Sequence, residues 1–177
     1  MGRGNFFEST YTTGKIIEQE MLGKGKYTPE GEYQPYREAL DYVKEQQPFD
    51  ASDPNPRFAN DVHATVAEML ALEDYSRLKF YTAVGSMLDK CHGVDAFFEL
   101  EINPDNPHKV IRVTIDLTAN QEKNDYKADL IVKVPRGGID PTDDKKAFSE
   151  LVNKTATEIV EEFKKLNPDL KVVSVAA

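Results

Sequence analysis

Two aspartates stand on the polar side of two neighbouring runs of alternating residues. Asp95 lies near the start of the run 94–102, and Asp116 lies near the end of the run 111–118. Alternate side chains of a strand point to opposite faces, so each aspartate lies opposite the apolar residues of its run. A carboxylate in such a position either binds a hard cation such as Mg²⁺ or faces water. Alternation alone predicts a solvated polar face, and this interpretation stays open for both residues and for Asp129 on the next run.

Glu73 is a further acidic residue whose position carries chemical information. Asn55 and Pro56 predict the start of a helix. Four apolar residues then recur at helical spacing: Phe58, Val62, Val66 and Met69. If this helix persists for one more turn, Glu73 falls on the apolar stripe, where a carboxylate is costly unless it is paired, protonated or bound to a metal. The alternative is that the helix ends near Asp74, which then caps a second helix through Cys91.

The elements that must position these carboxylates begin with three strands. Three runs alternate with period two and predict them: 94–102, 111–118 and 128–134. The short turn 103–109 makes the first two an antiparallel hairpin. We expect an antiparallel meander whose apolar face is covered by helices.

Helices and a last strand complete the predicted body. The second helix carries four residues on one side: Tyr81, Val84, Leu88 and Cys91. Gly93 ends it. A long helix is expected from about Asp143 to Leu166, and the ending 170–176 predicts a last strand. The order α, α, β, β, β, α, β is typical of an α/β sandwich.

The first 57 residues differ in composition from the rest. They are rich in glycine, proline and tyrosine, which predicts turns. One helix is expected after Pro35, because apolar residues then recur at intervals of three and four. The remainder is predicted to form an N-terminal arm. Since exposed aromatic residues are costly in water, we expect the arm 1–57 to pack on the α/β domain 58–177 or on a partner.

The order of elements, the GVD at 93–95 and the strand ending IDLT at 115–118 together resemble the restriction-endonuclease-like PD-(D/E)XK nucleases over residues 58–176. The resemblance implies the core order αβββαβ, with a mixed, mainly antiparallel sheet flanked by helices. In that family an aspartate after small residues opens one strand, and an acidic-x-lysine triplet lies beside it on the next strand. Asp95 matches the first aspartate, and Asp116 matches the acidic residue of the triplet. The family usually places one more strand before the GVD strand, where this sequence predicts a helix.

The resemblance also implies a metal site and a reaction. Asp95 and Asp116 would hold Mg²⁺ or Mn²⁺, with Glu73 or Glu68 from the preceding helix as a third ligand. The ion would make a bound water nucleophilic and neutralise the charge that builds on a phosphate. The chain is therefore expected to be a metal-dependent nuclease that cleaves nucleic-acid phosphodiesters.

The lysine of the family's triplet is replaced by Thr118, which offers only a neutral hydroxyl. The lysine normally orients the attacking water and stabilises the developing charge. Lys127 and Lys133 on the next strand are the candidates for a lysine that has moved. Residues 123–136 hold four basic and two acidic residues, which makes them a local basic patch in a chain of net charge -9. Nucleic acid is expected to bind there, because the overall charge repels phosphate elsewhere.

Composition bounds the class of protein. With 177 residues the chain is long enough for one domain with its own core. Cys91 is the only cysteine, so no intramolecular disulfide forms, and we expect a cytoplasmic protein. No stretch approaches the roughly 20 apolar residues of a membrane span. The three histidines lack the spacing of zinc ligands, and no motif of a serine or cysteine nucleophile occurs.

A second hypothesis is a catalytically inactive protein of the same or a similar fold. It would serve as an interaction or assembly module, and the tyrosine-rich arm would contact a partner or a second copy of the chain. Thr118 and the acidic composition favour it. It predicts that Tyr27, Tyr33 and Tyr36 lie in an interface, which includes the case of a homo-oligomer formed through the arm.

Overall fold

The computed structural model describes residues 6–28, 32–125 and 127–174. Within them the fold is α/β, with one four-stranded mixed sheet and five α-helices. The helices are α1 (Phe6–Leu22), α2 (Tyr36–Glu45), α3 (Arg57–Met69), α4 (Met87–His92) and α5 (Lys145–Leu166). The strands are β1 (Leu78–Thr82), β2 (Ala96–Glu101), β3 (Val110–Thr118) and β4 (Leu130–Lys133), and a 3₁₀ turn spans Tyr75–Arg77. No helix of the described residues is long and apolar enough to cross a membrane.

The sheet has the strand order β1-β2-β3-β4. The predicted hairpin is confirmed, because β2 and β3 pair antiparallel with Ala96 opposite Ile115. β1 also pairs antiparallel with β2. The expected meander is wrong at its last strand, since β4 runs parallel to β3. The chain between β3 and β4 must therefore return to the start of β3's direction before β4 begins, as a parallel pair requires.

Helices cover both faces of the sheet. On one face the main core packs against α1, α3 and α5, and it includes the alternate strand residues Phe80, Phe98 and Ile115. On the other face a smaller cluster joins the sheet to α2 and α4. There the rings of Tyr81 and Phe97 stack with centroids 4.9 Å apart. The face that carries the polar strand residues is therefore largely closed off from solvent.

A buried ion-pair network lies on this second face. The Glu99 side chain is only 2% exposed, and its carboxylate contacts both Lys44 of α2 and Arg112 of β3. Lys44 Nζ lies 2.8 Å from Glu99 Oε2, and Arg112 donates through Nε and Nη2 to Oε1 at 3.0 and 2.5 Å. The network fixes α2 against the sheet and satisfies a carboxylate that would otherwise be costly to bury.

The predicted second helix is wrong over its first half. Leu78–Thr82 is strand β1, and only Met87–His92 is helical. Gly85 has φ 87°, a left-handed conformation that separates the two elements. Gly93, at φ 67°, ends α4 as the sequence predicts. β1 thus lies between α3 and the aspartate that opens β2, where a helix was expected.

The long helix predicted from about Asp143 to Leu166 is confirmed as α5. The predicted last strand is not formed within the described residues. Residues 170–174 have no regular structure, and the Val173 N–H donates to the Met69 carbonyl at 2.8 Å. Residues 175 and 176 lie outside the described range. In the described chain all four strands precede α5, so the order αβββαβ is not confirmed.

The first 57 residues contain the predicted helix α2 and also α1, which the sequence did not predict. Ile17, Met21 and Leu22 of α1 are buried in the main core, each 6% exposed or less. α1 packs against α3 and β3 of the body. The division of the chain at residue 57 stays a prediction.

Candidate metal centre

Three carboxylates from two distant parts of the chain meet at one end of the sheet. Glu18 comes from α1, Asp89 from α4 and Asp95 from the residue before β2, and one oxygen of each lies within 4.8 Å of the other two. Two oxygens on opposite sides of one Mg²⁺ are about 4.1 Å apart, twice the usual Mg–O distance. Side-chain movements of less than about 1 Å would therefore bring all three onto one ion. This buried acidic triad can hold a metal ion.

Asp95 is the most firmly fixed of the three. Its N–H donates to the Ile115 carbonyl at 2.8 Å, and its carbonyl accepts from the Ala83 N–H at 2.7 Å. Its Oδ2 accepts from the Leu117 N–H at 2.7 Å. The carboxylate thus takes the place of a strand partner at the end of β3. Asp95 is 6% exposed and bonded to strand backbone on both sides, so its position depends on the sheet itself.

Asp89 is held by the tight turn that starts α4. Ser86 caps the helix, and its hydroxyl accepts from the N–H groups of Leu88 and Asp89 at 3.1 and 3.4 Å. Asp89 folds back so that its Oδ2 accepts from the Gly85 N–H at 2.7 Å. This arrangement resembles a capping box, except that the acidic residue three positions after the capping serine accepts from the N–H of Gly85 rather than from that of Ser86.

Glu18 lies on the buried side of α1. The core residues Ile17, Met21 and Leu22 surround it at helical spacing. A carboxylate beside such a stripe points toward the body of the protein rather than to solvent. α1 thereby carries the third oxygen ligand over the end of the sheet.

A fourth carboxylate and a lysine adjoin the triad. Asp116 of β3 is 5% exposed, and its Oδ2 lies 2.5 Å from Lys123 Nζ. Lys123 belongs to the segment between β3 and β4, five residues beyond Thr118. The negative charge of Asp116 raises the pKa of Glu18, Asp89 and Asp95, which places it in the same electrostatic environment.

Burial and mutual repulsion dominate the electrostatics of the centre. Burial, then the charges of Glu18 and Asp89, raise the pKa of Asp95 to about 8. Burial and the charge of Asp89 raise the pKa of Glu18 to about 7. Burial also raises the pKa of Asp89, against the N–H of Gly85 and the nearby lysines. A cation would reverse these shifts, because positive charge favours the ionised carboxylates.

The structure brings together two of the residues that the sequence singled out. Asp95 and Asp116 both lie at this end of the sheet, and both are buried, so neither belongs to a solvated strand face. Glu73 lies elsewhere. α3 ends at Met69, and Glu73 is exposed just before the 3₁₀ turn that leads into β1. β1 enters the sheet with Leu78 opposite Leu100, at the end away from Asp95.

The two lysines predicted to replace the motif lysine face other groups. Lys127 Nζ lies 3.5 Å from the Cys91 carbonyl, and Lys133 Nζ donates to the Gln121 carbonyl at 2.8 Å. Within the described residues neither forms an ion pair with a carboxylate, whereas Lys123 of the same basic patch does. The predicted binding of nucleic acid by this patch stays a prediction.

Sequence reasoning missed Glu18, Asp89 and the role of Lys123. For Glu18 a signal existed, because a carboxylate beside the apolar residues Ile17 and Met21 is the pattern that drew attention to Glu73. For Asp89 the signal was the serine three residues before it, which predicts a helix start at Ser86. Lys123 gave no local signal, since only the path of the β3–β4 segment brings it back to Asp116.

Comparison with known proteins found no match for this chain. No family model, no curated protein and no solved structure matches the chain. The resemblance to PD-(D/E)XK nucleases therefore rests on the residues of this chain alone, and it stays a prediction.

Proposed function

We propose that the protein is a divalent-cation-dependent hydrolase of nucleic-acid phosphodiesters, of the restriction-endonuclease-like kind. The observation that carries the proposal is the convergence of four carboxylates, two buried and two half-buried, with one lysine at a single end of the sheet. Glu18, Asp89 and Asp95 supply oxygens within 4.8 Å of one another, and the ion pair of Asp116 and Lys123 adjoins them. β1, which precedes the Asp95 strand, also agrees with the strand that this family usually has there.

The charge balance supports a cation as the natural occupant. Carboxylates buried side by side repel one another and lose hydration, so they cost free energy unless they are protonated or paired with positive charge. Oxygen-rich sites of this kind suit Mg²⁺ or Mn²⁺, which keep several waters for a substrate to replace. A bound ion would supply a water of lowered pKa and neutralise charge on the phosphate.

Lys123 supplies the ammonium group that Thr118 cannot. Its Nζ lies against Asp116, the acidic residue that the family pattern places two positions before the motif lysine, here Thr118. A lysine held there donates to a phosphate oxygen and stabilises the charge that develops on it. Asp116 orients Lys123, while Asp95, Asp89 and Glu18 bind the ion.

The pH dependence of metal binding follows from the raised pKa values. Protons on Asp95 and Glu18 compete with the cation, because only the ionised carboxylates bind it. Mn²⁺ affinity is therefore expected to rise between pH 6 and pH 8, the range in which groups with pKa values of about 7 and about 8 lose their protons.

The test combines metal titration with cleavage of labelled nucleic acid. Calorimetry with Mn²⁺ should show binding to the wild type and none to Asp95→Asn. The protein is incubated with single-stranded or duplex DNA or RNA in the presence of Mn²⁺ or Mg²⁺. The products show which of these nucleic acids it cleaves. An absence of divalent-ion binding at pH 8 would overturn the proposal.

Three lysine variants identify the source of the ammonium group. Lys123→Met should lower the cleavage rate at saturating metal by roughly 10²–10³-fold, the usual effect of losing a group that stabilises transition-state charge. Lys127→Met and Lys133→Met are matched controls with the same chemical change outside the cluster, and they should lie within a fewfold of wild type. If Lys127→Met or Lys133→Met lowered the cleavage rate and Lys123→Met did not, the ammonium group would come from Lys127 or Lys133 instead.

The second candidate, an inactive module that binds a partner through aromatic residues, is favoured by two exposed tyrosines. Tyr33 and Tyr36 are 68% and 42% exposed, and both rings pack against His92. Tyr27 does not favour it, because its hydroxyl bonds to the Thr82 carbonyl. Light scattering of the wild type and of the double variant Tyr33→Ser, Tyr36→Ser tests this candidate without removing α1 from the core. An equal mass per particle in both, with Mn²⁺-dependent cleavage intact, would exclude assembly through these tyrosines.

A further inference from the structure

A small pocket opens beside the metal centre, between the segment after α1 and the start of α4. Tyr27 and Tyr42 line one side, and Gly85 and Ser86 line the other. Its volume is about 110 Å³. At about 30 Å³ per water molecule this is space for three or four waters, far below the roughly 300–1,000 Å³ of sites for drug-sized ligands. Since a cavity of about 150 Å³ holds one benzene molecule, the pocket has room for the edge of a flat ring.

The pocket and the metal centre share a peptide unit. Gly85 lines the pocket, and its N–H donates to Asp89 Oδ2 at 2.7 Å. A nucleic-acid strand whose phosphate lies at the carboxylates therefore has an adjacent nucleoside beside this opening. The proximity makes the pocket part of the same substrate path rather than a separate site.

The lining groups match the chemistry of a nucleobase. The rings of Tyr27 and Tyr42 pack against each other with centroids 6.0 Å apart and a tilt of 45°, so a planar group in the pocket would lie against this aromatic pair rather than between the two rings. Gln34 and Lys90 also line the pocket, and both residue types carry side-chain groups that hydrogen-bond to base edges. Aromatic stacking combined with amide contacts to a base edge is how proteins recognise unpaired bases.

Tyr27 is held rigidly in this arrangement. Its hydroxyl donates to the Thr82 carbonyl and accepts from Gln47 Nε2 at 3.2 Å. Gly25 packs on its ring so closely that a Cβ at position 25 would lie 2.1 Å from ring carbons. Tyr42, by contrast, is half-buried, and its hydroxyl makes a long contact of 3.4 Å to Thr28 Oγ1 as its one hydrogen bond to the described residues. Tyr42 is therefore the ring that can be removed with the least damage to the fold.

We infer that this pocket takes one unpaired nucleobase next to the phosphate that is cut. The inference rests on the proposed function and deepens it, because a base stacked and paired within a duplex cannot enter without being extruded. The substrate class is accordingly a single strand, or a duplex with an unpaired position at the cleavage point. Cleavage at a given bond then depends on the presence of a base at one fixed neighbouring position.

Abasic scanning of the substrate tests the inference without altering the protein. A fluorescent single-stranded DNA is prepared as a set in which one abasic site moves along the sequence, and cleavage with Mn²⁺ is mapped at each bond. The base at one fixed offset from the cut should matter most. Its loss should weaken cleavage at that bond by roughly 5- to 150-fold, the range measured for one base stacked on an aromatic side chain.

A double-mutant design assigns the effect to the pocket. Tyr42→Leu should lower cleavage of the intact strand by a similar factor and should be insensitive to the abasic site at that offset, since the stacking partner is already lost. Tyr75→Leu is the matched control, because Tyr75 is 41% exposed on the 3₁₀ turn at the other end of β1. It should retain the full abasic penalty.

Binding measured with Ca²⁺ in place of Mn²⁺ separates this inference from the proposed function. Fluorescence anisotropy should show the same penalties for the abasic strand and for Tyr42→Leu, whether or not the strand is cut. Binding with these penalties but no cleavage would overturn the hydrolase proposal and keep the base pocket. Two results would overturn the base pocket while leaving the hydrolase proposal intact. One is equal cleavage and binding of all the abasic strands, and the other is an unchanged abasic penalty in Tyr42→Leu.

Discussion

Replacing Asp95 by asparagine should stabilise the metal-free protein at alkaline pH. Asparagine keeps the shape of the side chain and an oxygen that accepts from the Leu117 N–H, but it removes the buried charge. In the wild type the pKa of Asp95 is raised from 3.8 to about 8 by burial and by neighbouring carboxylates. The folded protein therefore holds a proton on Asp95 at pH values where the unfolded chain has already released it.

The sign and size of the effect follow from this difference. Between pH 3.8 and about pH 8 the folded state binds more protons than the unfolded state, so the free energy of unfolding falls as pH rises. Each pH unit in this window is worth at most about 1.4 kcal/mol for one group. From pH 5 to pH 8 the Asp95→Asn variant should gain up to about 4 kcal/mol relative to wild type.

Urea unfolding in EDTA at pH 5, 6, 7 and 8 measures the difference. Asp105→Asn is the matched control, because Asp105 is exposed in the loop between β2 and β3 and undergoes the same chemical change. Added Mn²⁺ should stabilise the wild type at pH 8 by about 2.7 kcal/mol at one hundred times its dissociation constant. It should not stabilise Asp95→Asn to that extent.

Two results would refute this reasoning. If the stability difference between Asp95→Asn and wild type did not change from pH 5 to pH 8, Asp95 would not titrate as a buried, repelled carboxylate. If Asp105→Asn showed the same trend as Asp95→Asn, the effect would come from net charge rather than from the cluster.

Two further substitutions test the packing that supports the centre. Arg112→Met removes one of the two cations that contact the buried Glu99. It should lower the free energy of unfolding in urea by about 1–3 kcal/mol. A change below about 0.5 kcal/mol would contradict a stabilising role of this ion-pair network. Gly25→Ala should cost about 1–3 kcal/mol, because the new methyl group would lie 2.1 Å from the ring of Tyr27. Gly14→Ala in α1 is its control, since no atom lies within 4 Å there, and it should stabilise the helix by about 0.5–1 kcal/mol.

Local patterns in the sequence determined the elements whose periodicity is unambiguous. The β2–β3 hairpin, α3 and α5 each have a clear period, and all three elements form, although α3 ends at Met69 rather than near Asp74. The hairpin also places Asp95 near Asp116, because the start of one strand adjoins the end of the next in an antiparallel pair. Nearness in sequence was sufficient for these features.

The tertiary structure decided the elements whose local pattern fits more than one conformation. Leu78–Thr82 is short and apolar, so its spacing fits a helix as well as a strand, and only pairing with β2 makes it a strand. The same holds for α1, whose apolar stripe is stabilised by a core built from residues much later in the chain.

The identity of the carboxylate cluster likewise depended on tertiary contacts. The sequence by itself predicted that Asp95 and Asp116 lie on one polar strand face, but it placed the third ligand at Glu73 or Glu68 and the lysine at Lys127 or Lys133. Glu18 and Asp89 reach Asp95 only because α1 and α4 pack over the same end of the sheet. The physical reason is that burial and electrostatic repulsion arise from neighbours in space. Glu18 lies more than 70 positions before Asp89 and Asp95, and Asp89 faces Asp95 only through the turn and helix between them, so neither proximity has a local signal in the sequence.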